Sequence, residues 1–243
     1  MIKFIISFTR FLVGVAIALL VSSCDMNVKG IKGSGNVTTE TRTVNGDFTG
    51  VEANRGLDVV VEQSDSKSIT VEADDNLQSH IKTSVENGIL VITSDFNSYS
   101  NATKKVTVKM PIINSLETNS GSNLNTKGVV RSENLTLKSS SGSELNVNAE
   151  AENIISEASS GSHMSLEGKA LKLEISSSSG SGINAKKLIA NEVDAQSSSG
   201  SNLDVHAVLK LDAKASSGSS VNFSGSPKTV SKQSSSGGSV SGN

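Results

Sequence analysis

Three carboxylates hold one recurring position in this chain. Glu174, Asp194 and Asp212 each stand six residues ahead of the glycine of a Ser-Gly-Ser triplet, at Gly180, Gly200 and Gly218. If these triplets mark successive coils of a stacked chain, the acids form a column with about 4.8 Å between neighbours. Such a column could hold a cation, or supply the grouped carboxylates of a polysaccharide lyase or glycosidase built on a β-helix. Lys172, Lys210 and Lys214 are close in sequence, and the competing reading is a solvated face on which lysines offset the acids. The nonapeptide calcium repeat is absent.

Other chemistry is sparse. His80, His163 and His206 are far apart, and the two within the repeats differ in coil position, two and six residues after their glycines. They build no triad or metal set. Serine is abundant, but no Gly-x-Ser-x-Gly elbow joins a strand to a helix. After the first 23 residues the aromatic side chains are Phe48, Phe96, Tyr99 and Phe223, too few for a stacking platform for sugars; a polar, hydrogen-bonded contact along aligned serines stays open. The sequence therefore assigns no catalytic residue, no metal ligand and no cofactor.

What positions these residues is the triplet itself, at Gly121, Gly142, Gly161, Gly180, Gly200 and Gly218, with an altered copy at Gly237. The glycines are 21, 19, 19, 20, 18 and 19 residues apart, and a fixed period near 20 predicts a solenoid of stacked coils. Seven residues before each glycine stand Leu135, Ile154, Leu173, Val193, Leu211 and Val230. Three after it come Leu124, Leu145, Met164, Ile183, Leu203 and Val221, and five after it Thr126, Val147, Leu166, Ala185, Val205 and Phe223. Side chains two apart share a face, so these columns are expected to point inward. Three short strands per coil are expected, the third near Leu171, Leu188 and Val208. The glycine fits a left-handed corner, and serines beside it can ladder along the stack.

From Gly35 to Ser115 a period of two persists, in Leu57, Val59, Val61, in Ile69, Val71, Ala73, and in Val106, Val108, Met110 before Pro111. Asp74-Asp75-Asn76 and Glu86-Asn87-Gly88 read as turns. Asp95 to Lys105 lacks either period and reads as an exposed loop. The fold class is all-β, a parallel β-helix (β-solenoid) with coils of about 18–21 residues. One body spans 35–243, with irregular coils over 35–115 and regular repeats over 116–243.

The amino terminus carries an address. Lys3 and Arg10 precede an apolar run, Phe11 to Val21, too short to span a bilayer. Val21-Ser22-Ser23-Cys24 resembles the lipobox of bacterial lipoproteins, which implies cleavage after residue 23 and lipidation at Cys24. Several acyl chains there would anchor the chain firmly, and 24–34 reads as a tether. The sole cysteine of an exported chain has no disulfide partner. Beyond residue 23 the chain holds 20 basic against 24 acidic residues with no basic stripe, which argues against nucleic acid as a partner.

One coil contains Ser-Gly-Ser-Gly-Ile-Asn, residues 179–184, and the front half has Gly33-Ser34-Gly35-Asn36, Val44, Phe48 and Val51, Gly56-Leu57-Asp58-Val59, and Met110-Pro111. From about Gly33 onward the chain thus resembles the GIN-domain family of auto-transporter adhesin heads. Other coils vary the motif, as in Asn123-Leu124-Asn125 and His163-Met164-Ser165. The resemblance implies a right-handed β-helix in the envelope of a Bacteroidetes-like bacterium. No long run of membrane strands follows the repeats, so the expectation is an adhesin that does not export itself. The functional expectation is a non-enzymatic, lipid-anchored envelope protein of the outer membrane, facing either the periplasm or the outside. It would meet the membrane through Cys24 and bind a glycan or surface protein. The alternatives are a carbohydrate-active enzyme using the acid column, and a structural module that assembles as a homo-oligomer.

Overall fold

The computed structural model describes residues 29–242. The signal segment, the lipobox and Cys24 lie outside the described residues. Within them the chain is a β-solenoid of about seven turns, and its regular part is four long strands stacked in parallel. These are β13 (Glu144–Ala158), β14 (His163–Ser177), β15 (Gly182–Ser197) and β16 (Asn202–Ala215). Each runs from one Ser-Gly corner almost to the next, so a coil is one bent strand rather than the three short ones expected. The bend falls about seven residues past the corner, at Gly128, Gly168 and Gly225, all with positive φ. Register slips there, between Ser165 and Glu167 and between Ala185 and Ile189, absorb the unequal coil lengths. Leu171 and Val208 lie just past this bend and are exposed, whereas Leu188 is buried.

The inward columns are as the alternation requires. Ile154, Leu173 and Val193 pair in register, as do Leu145, Met164 and Ile183, and all six are buried. Stacking like on like removes each apolar side chain from water at about 1.5–3 kcal/mol for a fully buried Leu or Ile, which is how a narrow cross-section with few aromatics holds together.

The stack begins earlier than the triplets do. Strands β3 (Gly50–Ala53) and β4 (Asp58–Gln63) pair with β10 (Ser115–Thr118) and β11 (Asn123–Lys127) and form a coil of their own. Its corner is Arg55-Gly56, with φ of 56° and 70°, and the Gly56 amide donates to the Ser120 carbonyl at 3.0 Å. Between this coil and the next the chain leaves the stack and builds a plug. Strand β5 (Ser68–Asp74) runs antiparallel to both β2 (Val37–Arg42) and β9 (Lys104–Met110), and β6 (Ile81–Glu86) forms a hairpin with β7 (Ile89–Ser94). Strands β7 and β9 lie under β3 and β4, so the core is covered at this end and its strand edge is paired.

Two local expectations change. Asp74-Asp75-Asn76 opens a one-turn helix α1 (Asp75–Gln78) instead of a plain turn. Buried Asp74 fixes the approach to it, accepting from the Gly35 and Thr103 amides at 2.6 and 2.7 Å. The segment Asp95 to Lys105 is also pinned: it contains β8 (Ser98–Ser100), paired with β1 (Gly30–Lys32), and Phe96 and Tyr99 pack against the core. The backbone of this segment is thus paired with the end of the stretch read as a tether.

At the far end, β17 (Ser220–Ser224), β18 (Thr229–Ser234) and β19 (Ser239–Gly242) complete the last described turns. Val230, expected inside, is 42% exposed because β18 pairs with β16 on one side and no described coil follows it on the other. In the inward column Leu137, Ser156, Ile175, Ala195, Ala213, the next residue is Lys232, and its Nζ lies 4.6 Å from the centre of the Phe223 ring. A charge in an inward position blunts an open edge. Lys232→Val is expected to raise self-association, read as a concentration-dependent rise in sedimentation coefficient; an unchanged monomer-to-oligomer ratio would show that Lys232 guards nothing.

Candidate functional site

The corner sorts its serines into two kinds. In the coil of Gly180, Ser179 has φ 54° and Gly180 has φ 71°, the consecutive left-handed pair of a type I′ turn. The Gly180 amide donates to the Ser199 carbonyl at 3.1 Å, and every corner repeats this bond to the next. Ser181 then points inward. Its hydroxyl sits 2.7 Å from the Ser178 carbonyl and 2.9 Å from that of Ala158, and it accepts from the Ser178 amide at 3.2 Å. Ser122, Ser143, Ser162, Ser201 and Ser219 are buried in the same column. Ser179, Ser199 and Ser217 face outward and are exposed. A non-glycine residue in this conformation costs about 1 kcal/mol or more, so the ladder expected beside the glycine is an inner, bonded column and an outer, solvated one.

Ahead of each corner lies a second outward column. Its members are Lys138, Glu157, Ser176, Gln196, Lys214 and Gln233, in register from coil to coil. Lys138 and Glu157 face each other at 4.0 Å. From Ser176 on, the column is uncharged apart from Lys214. Between it and the corner serines Ser178, Ser198 and Ser216 runs a groove of ≈ 550 Å³, floored by the backbone of Ser177, Ser197 and Ala215, whose side chains are buried on the inner face. Gln196 and Gln233 stand on one wall of it.

The acid column stands where its spacing places it: Glu174 pairs with Asp194, and Asp194 with Asp212. Lysine answers it at one end. Lys172 Nζ donates to Glu174 Oε1 at 2.6 Å, and this bond and the Glu174 charge hold the Lys172 ammonium above its ordinary pKa range. Lys172, Glu192 and Lys210 alternate in sign in the adjacent column. Asp194 accepts from Gln196 Nε2 at 3.3 Å, and the enclosed Asp212 Oδ1 has no hydrogen-bond partner among the described residues. Glu174 and Asp194 line a shallow hollow of ≈ 230 Å³. Among the described residues no three His, Cys, Asp or Glu side chains gather closely enough to hold a metal ion.

The histidines remain apart. His80 Nδ1 lies 3.1 Å from Asp95 Oδ2, and Lys82 donates to the other oxygen at 2.7 Å. Lys82 first, and then His80, holds the Asp95 carboxyl below its ordinary range. His206 Nδ1 is 3.2 Å from Ser224 Oγ. Past the corner, an asparagine ladder that residue counting overlooked faces outward: Asn146 Nδ2 donates to Asn125 Oδ1 at 2.9 Å, and Asn222 Nδ2 to Asp204 Oδ1 at 3.1 Å. The signal for it was the repeated Asn or Asp four residues after the glycine.

Fold and site together define a capped β-solenoid with aligned polar columns at one corner. Residues 47–227 match the model of the family described as "Putative auto-transporter adhesin, head GIN domain", and the chain belongs to that family. The structure resembles a crystal structure of a putative adhesin from Bacteroides fragilis, with a TM-score of 0.78 at 19% identity over 88% of this chain and 100% of that one. A putative adhesin from Parabacteroides merdae has a TM-score of 0.71 at 16% identity, over 89% of this chain and 100% of that one. A putative lipid binding protein from Parabacteroides distasonis has a TM-score of 0.71 at 20% identity, over 88% and 100%. No curated protein matches the chain in sequence. The family supports an adhesin-like protein of the cell surface or envelope.

Proposed function

We propose that this protein is a non-enzymatic adhesive module, lipid-anchored to the outer membrane through Cys24, that meets its partner with the polar columns around the Ser-Gly corner. The observation that carries the reading is the outer serine column. Seven corners, from Ser120 to Ser236, place serine in a left-handed conformation, with φ between 48° and 56°, where glycine would be cheaper. Strain retained at exposed, hydrogen-bonding positions points to a contact surface. The carbohydrate-active enzyme reading draws less support, since Glu174 is exposed and tied to Lys172 and Asp194 is hydrogen-bonded by Gln196.

An adhesive role requires the solenoid to be outside the cell. Intact cells treated with a membrane-impermeant, amine-reactive biotin reagent are expected to yield labelled protein, because lysines such as Lys187 and Lys82 are exposed. Labelling that appears only after lysis would place the protein in the periplasm and remove the adhesive reading.

A further inference from the structure

We infer that the groove between Gln196, Lys214 and Gln233 on one wall and Ser198 and Ser216 on the other binds an extended, uncharged glycan lying along the solenoid axis. The inference rests on the adhesive reading and gives it a ligand class. Three features of the groove carry it. Its volume, ≈ 550 Å³, is in the range of small-molecule sites and exceeds that of the hollow at the acid column. It runs across the coils of Ser176, Gln196, Lys214 and Gln233, so its wall repeats every ~4.8 Å over about 14 Å, comparable to successive rings of a short linear oligosaccharide.

The third feature is the change in chemistry along the wall. Where the column starts, Lys138 and Glu157 satisfy each other. Where the groove opens, the wall becomes amide and hydroxyl, groups that both donate and accept and so match sugar hydroxyls. Among the described residues the hydroxyls of Ser178, Ser198 and Ser216 donate no hydrogen bond, and Gln196 spends one amide hydrogen on Asp194. The floor is backbone, because the side chains of Ser177, Ser197 and Ala215 are buried on the inner face, and no bulky side chain rises from it between the two walls. A single lysine gives an anionic polymer little to bind, and the acids Glu174 and Asp194 lie beside the groove.

The test uses the full chain purified in detergent and two probes, a β-1,4-linked glucose hexasaccharide and a galacturonate hexasaccharide, alongside an array of neutral linear glycans. Binding to neutral linear glycans is expected, with at least a tenfold loss in the Gln196→Ala/Gln233→Ala variant and none in Lys187→Ala on another face. Both glutamines are exposed, so the thermal transition should not move; Ser198→Arg, which fills the groove without emptying a wall, is expected to give the same loss. Failure to bind any neutral glycan, preference for the galacturonate probe, or binding by both groove variants as tight as that of the wild type would overturn the inference. If cells still adhere while the groove variants behave as wild type, the adhesive reading stands and the groove assignment falls.

Discussion

Gly168→Ala is expected to destabilise the full chain by about 3–5 kcal/mol, the sum of backbone strain and overpacking. Gly168 sits at the second bend with φ 116°, and a Cβ built there would meet the Ala149 carbonyl oxygen of the coil below at 2.0 Å. Backbone, not a movable side chain, occupies the space, so neither coil can give way without breaking the ladder that joins them. Gly180→Ala is the control. At φ 71° its added Cβ meets nothing within 4 Å, and only the conformational cost of about 1 kcal/mol remains. Urea unfolding of both variants decides between steric and purely conformational roles for the two glycines. Equal shifts in midpoint would show that the coils are not packed at the bend as described.

Cys24→Ser is expected to abolish acylation and, with it, stable membrane attachment. Serine preserves size and polarity but offers no thiol for thioether formation. One acyl chain binds a bilayer only marginally, whereas several bind firmly, so the expected change is from complete recovery with membranes to release once the signal is removed. Metabolic labelling with an alkynyl fatty acid reads the modification directly, independent of any retained signal sequence. Persistent label in Cys24→Ser would move the anchor elsewhere.

The columns of the core were legible because two periods coincide, two residues within a strand and about 20 between corners. Leu145, Met164 and Ile183 could be placed inside from those periods alone, and the acids of the outer column could be placed in register, where they stack as counted. Less legible was whatever broke a period. The Arg55-Gly56 corner lies 65 residues ahead of the Gly121 corner, because the plug is inserted between them, and arginine there hides its kinship with the serine corners. The second bend uses glycine at three corners and alanine at two, Gly128, Gly168, Gly225 against Ala149 and Ala207, too irregular to separate one bent strand from several short ones. Phe96 and Tyr99 drew no pattern because their burial depends on β1, a strand of three residues.

These features share a cause. Alternation reports which face a residue takes, while coil shape depends on where the backbone turns, and turning is set by contacts between distant residues. The groove shows the same limit. Its lining residues recur at fixed offsets, yet its concavity depends on how several coils stack at once.

The most direct test of the adhesive role compares adhesion of cells that make this protein, cells that lack it, and cells that make an unrelated lipoprotein at the same level. The surfaces are immobilised matrix proteins and neutral polysaccharides. The protein is expected to raise retention on at least one of these surfaces well above both controls, and soluble competitor of the same material to reverse it. Retention no greater than that of the unrelated lipoprotein on every surface would contradict the adhesive function.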